Sequence, residues 1–329
     1  MLDAFLAYQR EFDGHDAQRY FASHPLLPTT VVVAYLLAVR FLPRWMAHRP
    51  PYELRAASRV WNVAIAVFSV CGASVCVPHL LRQLMRHGLW YTVCADVYEL
   101  AGYGPPALWA SLFTWSKLLE LVDTLLIILR KRPLITLHWF HHASVIGFAW
   151  AAWVYETPAA LWYGAMNYSV HAVMYSYFAL TSTQRCRRAV LRVAPAITAL
   201  QISQFAWGSV INIFAAVAYA SPTIGCAIRL PILYLGASLY VVYGALFVQL
   251  FVSRYLRKRA PLPDAHSLLP PHARIARHEG DAREHSKTAG SRRHANGHGG
   301  ITCGGASSAW PENGDHGHSA EAHSALKAV

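Results

Sequence analysis

The chain is built from long apolar runs separated by short polar and basic loops. Seven runs approach the roughly 20 mostly apolar residues a helix needs to cross a bilayer: Leu26–Leu42, Val60–Leu81, Ala107–Leu129, Leu134–Tyr155, Ala159–Thr181, Ala189–Tyr219 and Gly225–Val252. The pattern predicts an all-α, polytopic membrane protein with seven transmembrane helices. The sixth run is longer than one crossing needs, which predicts a helix that tilts or extends beyond the bilayer. The first is the weakest, with Arg40 inside it and prolines at both flanks. From Ala260 onward His, Gly, Ala, Ser, Arg and Pro dominate and large apolar residues almost vanish. Such a stretch cannot bury enough surface to fold and predicts a disordered C-terminal tail. Three parts follow: residues 1–24 before the first run, 25–259 as the seven-helix domain, and 260–329 as the tail.

Composition agrees with a membrane protein. Of the 329 residues 55% are hydrophobic and 14% charged, against about 25% charged in soluble domains. A formal charge of +12 could suggest a nucleic-acid partner. The basic residues, however, gather in short loops and form no stripe interleaved with aromatics, so nucleic acid is not the expected partner. Residues 1–24 contain Asp3, Arg10, Glu11, Asp13 and Arg19 and no apolar core of a cleavable signal, so the first run serves as its own insertion signal. Seven spans put the termini on opposite sides. A cytosolic C-terminus places Arg44, Arg49, Arg55, Arg59, Arg130, Lys131, Arg132, Arg185, Arg187, Arg188, Arg257, Lys258 and Arg259 in the cytosol. Charge bias favours that orientation, with a lumenal N-terminus. The histidines of the tail, among them His294, His298, His316 and His318, read as a solvated low-complexity segment rather than a metal store.

Ionisable side chains within a span are costly and point to function. The third run carries Lys117, Glu120, Asp123 and Thr124, and the fourth His138, His141 and His142. The fifth carries Asn167, His171 and Tyr175, and the sixth Thr198, Gln201 and Gln204. Most share a helix face by i, i+3, i+4 or i+7 spacing. At 1.5 Å per residue His138, His141, His142, Glu120, Asp123, His171, Tyr175 and Gln201 fall within roughly 6–18 Å of the cytosolic ends of their spans, which predicts one shared cavity in the cytosolic half. Blander roles stand beside this. Gln204 and Thr198 read equally as interhelical hydrogen-bonding groups, and Lys117 with Glu120 reads equally as a neutralising i,i+3 pair that orients the third helix.

Two chemistries suit the histidines. A membrane di-iron oxygenase or desaturase would use neutral imidazoles as ligands, but it needs several histidine boxes and the chain outside the tail holds one. A single zinc suits adjacent His141 and His142 poorly. Without metal, a buried neutral imidazole can attack a thioester or accept a proton. Asp123 or Glu120 could hold one ring in the needed tautomer, and Asn167 and Gln201 could donate to a developing oxyanion. No cysteine falls in the same slab, so histidine is the candidate nucleophile.

These residues resemble a known family. Lys117-Leu-Leu-Glu120-Leu-Val-Asp123-Thr124 is similar to the KxxExxDT motif of the ELO fatty-acid elongases, and His138-Trp-Phe-His141-His142 to their histidine box. The run from Asn167 through His171, Met174, Tyr175 and Tyr177 to Phe178 resembles NxxxHxxMYxYY, with Phe178 in place of the last Tyr. Thr198, Gln201, Gln204 and Phe205 match TxxQxxQF. The resemblance covers roughly Leu26 to Arg259 and implies a seven-helix, multi-pass enzyme of the endoplasmic reticulum membrane. It implies an acyltransferase that condenses acyl-CoA with malonyl-CoA to 3-oxoacyl-CoA, CO2 and CoA, using no cofactor beyond these substrates. The reductases and dehydratase of the cycle are the implied partners, and a homo-oligomer is possible. By resemblance His141 is the acyl-accepting nucleophile, and His171 faces it across the cavity and assists proton transfer or malonyl activation. His138 and His142 shape and polarise the site. Asp123, Glu120, Asn167, Tyr175, Gln201 and Gln204 support it, and Lys117 is structural or CoA-facing. Trp139 and the Asn167–Tyr177 run look closest to the branch acting on saturated and monounsaturated chains.

The orientation places Cys94 and Cys226 in different lumenal connections, an oxidising side. A disulfide between them is expected and is similar to a pairing in the family, while Cys71, Cys76, Cys186 and Cys303 are expected to be free. A seven-helix receptor or transporter is the rival from another class, and it leaves the four motifs without a purpose.

Overall fold

The computed structural model describes residues 2–182 and 190–256. Among these the regular elements are helical, apart from one isolated bridge pairing Asp13 with Tyr103. Two short helices come first, α1 (Leu2–Glu11) and α2 (Gly14–Ser23). Then follow α3 (Leu26–Ala47), α4 (Arg55–Cys94), α5 (Val97–Ala101), α6 (Gly104–Leu119), α7 (Leu121–Leu129) and α8 (Thr136–Val154). The series ends with α9 (Ala160–Thr181), α10 (Ala194–Ala220), α11 (Leu230–Phe251) and a π-helical turn, Val252–Leu256.

Among the described residues each of the seven apolar runs is mostly helical, with corrected boundaries that have local causes. The second run continues to Cys94, past a break at Gly88, whose φ of 81° suits a residue without Cβ. The third is two helices, because the chain leaves α6 at Glu120 and restarts as α7. The sixth and seventh begin late, at Ala194 and Leu230. Each has a proline in its first turn, where the missing N–H costs no intrahelical bond. The segment before the first run is itself folded: Phe21 of α2 is 1% exposed, lies against Trp115, Trp150 and Trp153 and accepts a hydrogen bond from Trp150 Nε1 at 2.9 Å. Arg185, Arg187, Arg188, Arg257, Lys258, Arg259, Cys186, Cys303 and the expected tail 260–329 lie outside the described residues.

Four helices are long and apolar enough to cross a bilayer by length and composition: Leu26–Ala47, Arg55–Cys94, Ala194–Ala220 and Leu230–Leu256. Their outward residues, among them Val60, Val67, Ile213, Val217 and Val241, leave large apolar side chains exposed, which a soluble protein would cover. The protein is a multi-pass membrane protein. α8 and α9 have 19 and 22 residues, but histidines, an asparagine and tyrosines dilute their apolar character, and α6 and α7 are interrupted. The helices that carry the buried ionisable groups Lys117, Glu120, His138, His141, His142 and His171 are the ones that read least like spans.

α8 is central, packing on α2, α3, α6 and α11, while α4 runs along α9 and α10 along α11. One end of the bundle is tied by basic loops: Arg130 reaches Ser58 at 3.2 Å, Lys131 the carbonyl of Ala47 at 3.1 Å, and Arg59 that of Ser182 at 3.3 Å. The opposite end is tied by the bond between Cys94 and Cys226 and by Ala227 N–H donating to Cys94 O at 2.8 Å. Cys71 and Cys76 are free.

Helices approach closely where glycine allows it. A Cβ on Gly208 would lie 1.9 Å from the Tyr240 ring, which ties α10 to α11, whereas one on Gly147 would meet nothing within 4 Å. Gly208→Leu should therefore lower unfolding stability in detergent by at least about 1–3 kcal/mol, the cost of overpacking. Gly147→Ala should be neutral or gain up to about 1 kcal/mol of helix propensity. Equal effects of the two changes in thermal unfolding would contradict this packing.

Candidate active site

The site is organised around a carboxylate at a helix break. Glu120 ends α6 and opens α7, and its Oε1 accepts from Lys117 Nζ at 2.5 Å and Ser116 Oγ at 3.2 Å. His171 Nδ1 lies 3.6 Å from the same oxygen. Lys117 and Glu120 are each only 1% exposed. Two charges out of water are tolerable when they pair and most of their remaining donors and acceptors are met; Glu120 Oε2 alone of this pair is buried without a hydrogen-bond partner. Lys117 accordingly also donates to Asn167 Oδ1 at 3.0 Å and sits 4.3 Å from the centroid of Phe113. An ammonium can only donate, so Asn167 must turn its oxygen to Lys117 and its NH2 the other way. Asn167 lines the main cavity.

The histidines sit on the first two turns of α8. His138 Nε2 is 2.8 Å from Thr124 Oγ1, which is 2.9 Å from Tyr35 OH, so α3, α7 and α8 are joined by one hydrogen-bonded chain. The His138 and His142 rings lie 4.4 Å apart, and His141 is 5.4 Å from His142 and 4.9 Å from Tyr243. Ser144 Oγ and Tyr243 OH are 2.7 Å apart and fix that tyrosine beside His141. The Nδ1 atoms of His141 and His142 are buried without a hydrogen-bond partner.

His141, Asn167, Gln204 and Tyr243 line one end of a largely apolar cavity. Its wall continues along α8 through Val145, Phe148, Ala149 and Ala152 to Trp153, with Phe113, Gly164 and Tyr240 among the facing residues. The twelve steps from His141 to Trp153 span about 18 Å of helix. An imidazole and an amide thus line a cavity whose wall is otherwise largely apolar.

A family model described as ELO: GNS1/SUR4 family matches residues 20–262. The chain belongs to the ELO family. It is 32% identical over 282 residues to "Fatty acid elongase 3" of Trypanosoma cruzi, covering 79% of this chain and 94% of that protein. It is 34% identical to "Fatty acid elongase 3" of Trypanosoma brucei brucei, covering 78% and 93%, and 36% identical to "Very long chain fatty acid elongase 6" of Drosophila melanogaster, covering 68% and 70%.

Within this ELO protein the four polar helix segments converge unevenly. His141, Asn167 and Gln204 reach the cavity, with His138 and His142 packed beside His141. His171 is not among the cavity-lining side chains and instead turns Nδ1 toward Glu120. Asp123 is held by Trp61 Nε1 at 3.0 Å and Tyr175 OH at 2.5 Å, bracing α4, α7 and α9. Gln201 donates to Met174 Sδ at 3.1 Å and also lies off the cavity wall. Lys117 is enclosed in its ion pair, away from any surface on which a CoA phosphate could rest. Sequence reading missed Tyr35, Trp61, Ser144 and Tyr243. The signal for two of them was available, since Tyr35 and Tyr243 stand mid-helix in apolar runs, whereas membrane tyrosines favour the interfaces.

The ion pair makes a testable distinction. Lys117→Met or Glu120→Gln alone strands a buried charge and should cost about 3–5 kcal/mol in unfolding stability. The double variant should recover most of that loss yet stay inactive, because Asn167 has lost its anchor. Additive losses in the double variant would show that the two groups act independently.

Proposed function

We propose that the protein is the condensing enzyme of fatty-acid elongation and carries the acyl group on His141 between two half-reactions. It joins acyl-CoA to malonyl-CoA, giving 3-oxoacyl-CoA, CO2 and CoA. The observation that carries this reading is that His141 and Asn167 both line the same largely apolar cavity. In the first half, a neutral His141 nitrogen attacks the thioester carbonyl, the C–S bond breaks, and CoA leaves as a thiolate that takes a proton from solvent. In the second, malonyl-CoA loses CO2 and its enolate carbon attacks the acyl carbon. The C–N bond breaks and the imidazole returns to its neutral form. Splitting one difficult step into two is the use of a covalent intermediate. The Asn167 NH2, turned from Lys117, suits the oxyanion that develops in each half. His171, on Glu120, is placed to relay protons rather than to touch the acyl group, and His138, held by Thr124, sets the rings of His142 and His141.

The same reading places seven spans in the endoplasmic reticulum membrane, with the N-terminus lumenal and the C-terminus cytosolic. It is supported by the basic loops at one end of the bundle and the cystine at the other, since cytosolic loops favour Arg and Lys and disulfides persist on the oxidising side. Acyl substrates enter from the basic end, and saturated or monounsaturated chains fill the cavity. The 3-oxo product then needs reductases and a dehydratase, which this chain does not supply.

Membranes containing the wild type should incorporate labelled malonyl-CoA into a 3-oxoacyl product. His141→Ala should lower that rate at least about 10³-fold, as loss of a nucleophile does. Full activity in His141→Ala would remove His141 from the mechanism. A wild type that condenses no primer but binds iron would replace this reading with an oxygenase.

A further inference from the structure

The far end of the cavity is closed by a structure that the proposed chemistry does not use. Val97, Tyr98, Ala101 and Gly102 line it on one side and Trp153, Glu156 and Thr157 on the other. Tyr98 OH donates to Glu156 Oε1 at 3.3 Å, and Arg229 pairs with Glu156 Oε2 at 3.3 Å. Burial, and next the carboxylate of Glu156, push the Tyr98 phenol above its ordinary range, so it remains a donor. The hydroxyl of Thr157 is buried there without a partner. A hydrocarbon chain growing from His141 would end against this polar floor.

The N-terminal helices hold that floor from behind. Gly14 N–H donates to Gly102 O at 2.8 Å and Gly104 N–H to Phe12 O at 2.9 Å, on either side of the Asp13–Tyr103 bridge. The fit is close, since a Cβ on Gly14 would lie 2.5 Å from Gly102 O. Asp13 caps α2 by accepting from His15 N–H at 2.8 Å. The His15 ring then stacks on Tyr98, with centroids 3.6 Å apart and planes at 15°. The family match begins at residue 20, so Asp13, Gly14 and His15 lie outside it.

We infer that His15, stacked on Tyr98, fixes the floor of the cavity and so sets the longest acyl chain this protein accepts. The inference rests on the condensing activity proposed above. His15 is a positioning residue that touches Tyr98 rather than substrate, and Tyr98 is the side chain that the end of the acyl group meets. A chain too long for the channel must displace Tyr98 from between His15 and Glu156, whereas a shorter one never reaches it. Chain length is therefore discriminated at the floor, by roughly tenfold or more for each excess carbon pair, as expected for apolar pockets.

The test is kcat/KM of the full-length protein in membranes against saturated acyl-CoA primers of graded length. The wild type should fall steeply beyond one length. His15→Ala should move that fall to longer primers and leave short-primer turnover unchanged, and His15→Trp, which can still stack, should restore the wild-type limit. Ala101→Phe, which adds bulk at the floor, should move the limit to shorter primers. A limit that stays fixed in His15→Ala, with or without a uniform loss of rate, overturns the inference. Should His15→Ala be inactive on every primer, an unmoved limit in Ala101→Phe overturns it equally. A wild type that condenses no primer at all instead removes the activity on which the inference rests.

Discussion

A lysine and a glutamate that are each 1% exposed can be held as charges within a bundle of apolar helices only when they pair and are hydrogen-bonded from inside; here Glu120 Oε1 is so met, while Oε2 is buried without a hydrogen-bond partner. Desolvation otherwise costs several kcal/mol per ion. This requirement accounts for much of the local design. Glu120 meets Lys117 and Ser116 together because residues three and four apart share a helix face. Lys117, with donors to spare, takes the oxygen of Asn167 and thereby points the asparagine NH2 away from itself. Glu120 also holds the vicinity of His171. An ion pair that contributes little net stability thus fixes the orientation of groups on two helices.

The rest of the molecule follows from placing polar chemistry at one level of an apolar bundle. The histidine rings are aligned by Thr124 and Tyr35 from one side and by Tyr243 from the other. Asp123, with Trp61 and Tyr175, braces the neighbouring helices. Beyond His141 the cavity wall turns apolar for about 18 Å of helix and is polar again at Tyr98 and Glu156. The two ends of the bundle are secured by different means, with arginine and lysine contacts to loop carbonyls and hydroxyls at one and a cystine at the other. Each end thus has its own fastening, independent of the groups at the level between them.

Much of this was legible in the sequence, and the reason is physical. Helix periodicity and the cost of burying polar atoms are local properties, so Lys117, Glu120, His138, His141, His142, Asn167 and Gln204 stand out against their apolar runs. What local pattern could not give is which helix neighbours which. Tyr35 matters because α3 lies against α7, Trp61 because α4 reaches Asp123, and Tyr243 because α11 backs α8. The same limit separates Gln204, which lines the cavity, from Gln201 one turn away, which meets Met174. It also hid the role of residues 1–24, whose two short helices show no long apolar run and are ordered by partners such as Trp150 and Tyr98.

The central claim is that His141 accepts the acyl group before malonyl-CoA takes part. The most direct measurement is mass spectrometry of the intact and digested protein after mixing with acyl-CoA alone. The account predicts one acyl addition, located on the peptide at His141, with an equal amount of free CoA released and the adduct discharged on adding malonyl-CoA. Release of CoA only when malonyl-CoA is present, or an adduct on Cys76 or His171, would contradict it.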